Sequence, residues 1–203
     1  MTAFGADRLE EIRASGVQHV IPPTPVGEPG SSGDLGFVDG PRLQVENLLE
    51  RGCRRLALAT SPDPRIADLV AQRRELASET LHERAGSGFV TEDEITEINA
   101  AETVANWISA GVDGVVAYND DIAALVLGAA VRAGVRIPEE LAIIGHDDTP
   151  LARLVVPALS SVRLDTVGLG RYLAELALSA ANDSAPPPAG PETEARLVIR
   201  ETT

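Results

Sequence analysis

Four strand-like runs in this sequence end in polar residues, and the later ones feed directly into helix-like segments, which restricts the chain to an α/β architecture. The run 35–38 ends at Asp39. The run 55–59 (RLALA) leads to Ser61 and Asp63, 113–117 to Asn119 and Asp120, and 141–144 to Asp147 and Asp148. Repeated βα units favour right-handed crossovers and parallel strands. Ligands of such sheets gather at the carboxyl edge, where strands stop and helices begin. The polar strand ends are therefore the candidate site, and their carboxylates and amides suit a neutral, hydroxylated ligand.

Composition narrows the possibilities. The chain has 203 residues, enough for one large domain or two small ones. It is 44% hydrophobic but only 3% aromatic, so its core must be aliphatic, as suits strands buried on both faces. All 17 basic residues are arginine, which excludes a Schiff-base lysine and a Walker-type phosphate loop. A net charge of −14 repels phosphate backbones, so this chain is not expected to bind nucleic acid by itself. The single cysteine, Cys53, allows no internal disulfide and no paired-cysteine metal motif, and it fits a reducing cytoplasm. The first residues do not read as a secretory signal, and no stretch approaches the roughly 20 apolar residues of a membrane helix.

The pattern predicts a helix over 6–14, with Leu9 and Ile12 on one face and Gly16 as its stop. A strand over 17–21 and a Pro/Gly/Ser-rich loop over 22–36 follow. A helix over 41–50 carries an apolar stripe of Val45, Leu48 and Leu49 and is ended by Gly52. Further helices are predicted over 65–81, over 92–110 after a short extended segment at 88–90, and from after Asp121 to Ala133. A strand over 160–164, a helix over 167–181, a Pro/Ala-rich mobile stretch over 182–191 and a strand-like run over 195–199 complete the chain.

Several residues have competing readings. Asp120 or Asp121 could cap the following helix, and Asp148 could cap the turn at Thr149 and Pro150. His146 lacks companion ligands at metal-binding spacing, since His19 and His82 sit in unrelated contexts, so no metal site is expected. Cys53 reads as a small buried hydrophobe and Trp107, beside Val104 and Ile108, as core. Asp147 and Asp148 point in different directions at a strand end, so they are not a catalytic carboxylate pair. No nucleophile elbow or zinc-protease helix motif is present, and Gly168-Leu169-Gly170 lies inside a helical pattern, so neither an enzyme nor a cofactor is expected.

The run GVDGVVAYNDDIAALVLGAAVRAGVRIPEELAIIGHDDTPLARLVVPALSSVRLDTVGLG resembles the C-terminal subdomain of LacI/GalR transcription regulators. The resemblance is carried by Tyr118-Asn119-Asp120, Gly134 to Pro138, Gly145 to Asp148, Pro157 to Val162, and Leu169-Gly170. Upstream, VDGPRLQVENLLERGCRRLALAT is similar to the family's first crossover with its helix and strand.

The resemblance implies a periplasmic-binding-protein-like fold, a parallel sheet with flanking helices, in which the C-terminal subdomain is complete and the N-terminal one partial. The implied division is 1–38 as partial N-terminal subdomain and linker, 39–160 as the effector-binding subdomain, and 161–203 as crossover, helix and final strand. Crossovers are implied near Asp39, Thr149 and Arg163. The implied function is effector binding and dimerisation in transcription control, without catalysis. The effector would be sugar-like or a nucleoside and would contact Asp39, Asn119 and Asp147. Implied partners are that effector, a second copy of the chain, and operator DNA through an N-terminal head that this chain lacks. Two departures stand out: alignment places Val70 at the family's effector-binding arginine, with Arg65, Arg73 and Arg74 out of register, and His146 replaces the usual aromatic. Alternatives are an exported sugar-binding protein of a transporter, a dimerisation module whose ligand site has decayed (which Val70 favours), and a flavodoxin-like or hydrolase enzyme.

Overall fold

The apolar runs become neighbouring strands of one parallel sheet in the computed structural model, which describes residues 6–17, 39–185 and 195–203. In chain order the first elements are α1 (Ala6–Ala14), α2 (Asp39–Glu50), β1 (Leu56–Thr60), α3 (Ala67–Ala85), β2 (Thr91–Glu94), α4 (Ala100–Ser109) and β3 (Gly114–Ala117). Then follow α5 (Asp120–Arg132), β4 (Ala142–Ile144), α6 (Pro150–Leu154), β5 (Ser161–Arg163), α7 (Thr166–Ala181) and β6 (Arg196–Val198). The sheet runs β2-β1-β3-β4, and a separate antiparallel pair joins β5 to β6.

Alternation along each central strand sorts its side chains onto two faces. Ala57, Ala59, Val115, Ala117 and Ile143 pack against α4 and α5 through Val104, Trp107, Ile122, Val126 and Leu127. Leu56, Leu58, Val116 and Ile144 pack against α2 and α3 through Val45, Leu48, Ala77 and Leu81. Helices thus cover both faces, and the central strands read as near-continuous apolar runs because they have no wet side.

The segment 91–94 corrects the sequence reading, which placed it in a helix over 92–110. Thr91 to Glu94 pair in register with Ala57 to Thr60 as an edge strand, and the helix is confined to Ala100–Ser109. Thr91 and Asp93 are half-buried while Glu92 and Glu94 are exposed. Asp93 is held by Trp107 Nε1 at 2.8 Å and Thr91 Oγ1 at 2.7 Å. Trp107 is therefore a core residue with its polar edge satisfied. Helix α3 extends one turn beyond the predicted end, to Gly86, whose φ of 64° closes it with an N–H···O bond to His82 of 2.8 Å.

The chain divides into two compact units, Met1–Asp39 with Leu164–Ala195, and Gly40–Arg163 with Arg196–Thr203. The sheet and the helices on its faces belong to the second. In the first, α7 opens with Asp165 accepting a hydrogen bond from the Gly168 N–H at 2.9 Å. All but Val17 of the strand read over 17–21, the strand over 35–38, the loop over 22–36 and most of the stretch 182–191 lie outside the described residues.

Candidate functional site at the carboxyl edge of the sheet

The ends of β3 and β4 are tied together from below by Gln44 of α2, a buried side chain missed in the sequence reading. Its Nε2 donates to the Ala117 carbonyl at 2.8 Å and to the Gly145 carbonyl at 2.9 Å. Gly145 is required there, since a Cβ would lie 2.3 Å from Asp120 Oδ1. Asp120 itself is fully buried and accepts from Ser161 Oγ and the Thr149 N–H, each at 2.6 Å. Burial raises its carboxyl above the usual range against those two hydrogen bonds. Its role is to brace the loop after β4.

Asn119 ends β3 and caps α5. Its Oδ1 accepts from the Ile122 N–H at 2.9 Å, so the capping role open to Asp120 or Asp121 is filled by Asn119. With the oxygen engaged, the Nδ2 amide is the part able to donate to a ligand.

Asp147 follows β4 with a φ of 95°, a left-handed conformation that costs a non-glycine residue on the order of 1 kcal/mol. Its Oδ1 receives Arg73 Nη2 at 2.9 Å and faces His146 Nδ1 at 2.7 Å. Burial pushes this carboxyl up, but the His146 hydrogen bond and the Arg73 guanidinium more than reverse the effect and hold it at about 2. His146 is fully buried, and that burial depresses its pKa against the opposing pull of Asp147.

Arg73 is the group that alignment set out of register. Its Nη1 donates to the Tyr118 carbonyl at 2.7 Å, and its guanidinium lies 4.8 Å from the Tyr118 ring centroid. It thereby links the end of β3 to Asp147. Val70 lies three residues earlier, on the same helix face. It does line a cavity of about 430 Å³, together with Ser61, Asp63, Arg74, Glu92 and Glu94. Only placement in space reveals that an arginine one turn along α3 serves the strand ends.

Asp63 is occupied otherwise. It accepts from the backbone and side chain of Arg65, which hold its carboxyl at about 2. Asp148 pairs with Arg200 and Arg163 and does not cap α6. Asp39 is the first, half-buried residue of α2 and falls in the other compact unit. Cys53, on the opposite edge, is buried, and burial followed by Asp113 raises its thiol to about 11, which removes it as a nucleophile near neutrality. At the ends of β3 and β4 the carboxyl edge thus brings together the Asp147 carboxylate, the Asn119 amide and the Arg73 guanidinium, groups able to hydrogen-bond hydroxyls.

Residues 45–203 match the periplasmic binding protein-like domain family. The chain is similar to a ribose operon repressor of Halalkalibacterium halodurans, with 30% identity over 81% of this chain and 50% of that protein. It is similar in structure to a complex of the transcriptional regulator CelR with cellobiose, at TM-score 0.69 and 25% identity, over 88% of this chain and 57% of that one. It is also similar to a LacI family transcriptional regulator from Arthrobacter sp. FB24 in complex with lactose, at TM-score 0.65 and 29% identity, over 80% of this chain and 61% of that one. The chain spans about half the length of the curated relatives it matches.

Proposed function

The chain belongs to the periplasmic-binding-protein-like effector domains of LacI-family regulators, and from that premise we propose that it senses a small hydroxylated molecule, a sugar or nucleoside, without catalysis. The observation that carries this reading is the polar array of Asn119, Arg73 and Asp147 at the ends of β3 and β4. Asp39 is a further proposed contact, carried by the family resemblance alone. The presence of Arg73 speaks against a decayed ligand site, because the charge missing at Val70 is supplied one turn later.

Effector binding would act by population shift, through its different affinity for two states of the protein. The readout would be operator binding by a DNA-binding head outside this chain, since a net charge of −14 suits no direct contact with phosphates. A homodimer is supported by Leu154 and Val156, apolar side chains that are 76% and 84% exposed. Among the described residues no helix is long and apolar enough to cross a membrane. A cytoplasmic setting accords with the regulator reading.

Titration calorimetry with D-ribose, cellobiose, lactose and a set of nucleosides tests the proposal. Asp147→Ala removes a charged hydrogen-bond acceptor and is expected to weaken binding roughly 10- to 150-fold. Binding unchanged by that substitution overturns the site, and no binding from any of these compounds overturns the sugar and nucleoside reading.

A further inference from the structure

The His146 ring has two nitrogens in opposite circumstances. Nδ1 lies 2.7 Å from Asp147 Oδ1, whereas Nε2 is buried without a hydrogen-bond partner. Leaving a buried ring nitrogen unpaired is unfavourable, so whatever the ring contributes comes through Nδ1. An ionised carboxylate only accepts, which places the ring proton on Nδ1.

The Nε2 edge is seated on Gly40 in the first turn of α2. A Cβ at that position would come within 2.0 Å of Nε2. There is no room for a partner, and a second proton on the ring would face no acceptor. Among the described residues, the charged side chains acting on the pair are Arg73 from α3 and Asp120 from α5. The seat therefore favours one neutral tautomer.

The consequence falls on Asp147. Each carboxylate oxygen has two lone pairs. Oδ1 receives both Arg73 Nη2 and His146 Nδ1, which fills it. Among the described residues none donates to Oδ2, and the side chain is 36% exposed.

We propose that His146 is the positioning residue of Asp147: it closes Oδ1, and it presents Oδ2 alone to a single hydroxyl of the ligand. The ligand half of this statement rests on the effector-binding reading above; the half concerning His146 does not.

Nuclear magnetic resonance of histidine-labelled protein reads the tautomer directly. The expected result is an Nδ1–H, Nε2-bare ring at neutral pH. An Nε2–H tautomer, or a charged ring, overturns the proposal. Carboxyl-carbon titration gives a second readout. His146→Phe keeps an aromatic in the seat but removes the donor, and the Asp147 midpoint is expected to climb from about 2 by about 1 pH unit or more. His146→Asn, which can return a donor near the Nδ1 position, is expected to hold it low. A ring that merely fills space would leave the midpoint unmoved in both, and that result also overturns the proposal.

Calorimetry with the same sugars and nucleosides then separates the two readings. Wild-type protein that binds none of them, with tautomer and midpoint as expected, removes the effector reading and leaves the positioning role intact. Binding that is about tenfold weaker in His146→Phe and recovered in His146→Asn supports both. Equal binding in wild type and His146→Phe removes the presentation of Oδ2 to the ligand.

Discussion

Asp147 and Asp148 are consecutive carboxylates with left-handed backbones, φ 95° and 46°, and their side chains diverge completely. Asp147 meets Arg73 and His146, while Asp148 meets Arg200 Nη2 at 2.6 Å and Arg163 Nε at 2.7 Å. In each case burial pushes the carboxyl up, and the hydrogen-bonded partners outweigh it and hold the group below its ordinary value. A carboxyl whose folded value lies below its unfolded one adds stability above the unfolded value, and that stability is lost as pH falls through the folded value. For Asp147 the window runs from the ordinary 3.8 down to about 2. The Asp147 contribution to the urea midpoint is thus expected to be level above about pH 5 and to be lost between about 4 and 2, separate from the fall that begins near the ordinary histidine value of 6.5 because burial depresses His146. Asp147→Asn should lower the plateau and shrink the drop. An equal drop in the variant would show that the Arg73 and His146 contacts contribute nothing to stability.

At the scale of elements, the strands that were legible from the sequence were those buried on both sides. RLALA, VDGVVA and LAIIG have few alternatives to the sheet interior, because no helix surface or loop could hide them. TEDE had no such signature. Its three acidic residues are poor strand formers, and it becomes β2 because β1 offers an open edge and Trp107 offers Asp93 a buried donor. That link makes a prediction. Trp107→Phe keeps the packing and loses the Nε1–H···Oδ2 bond, so urea unfolding should show a loss of about 1 kcal/mol. Trp107→Ala should lose about 3–5 kcal/mol, because it also opens a cavity between α4 and the sheet. Equal losses would mean that packing counts for little and that the hydrogen bond holds β2. Arg73 teaches the same lesson for helices: α3 was foreseen as a helix, but its neighbours across the sheet were not.

For the molecule as a whole, the exposed pair Leu154 and Val156 bears on assembly. On the dimer reading, the chain should sediment as a dimer at micromolar concentration, and Val156→Glu should sediment as a folded monomer with unchanged circular dichroism. A wild-type monomer would remove that reading.

The sequence by itself determined the α/β class, the aliphatic core, the order of the central βα units, and Asn119 and Asp147 as polar strand ends. These follow from short-range patterning, since period and burial are written into neighbouring residues. Only the tertiary structure decided the edge strand β2, the brace from Gln44, the pairing of Arg73 with Asp147, and the seat of His146 on Gly40. In each of those contacts the partners lie far apart in the chain, and what joins them is the geometry of packed helices on a sheet, which no local pattern records.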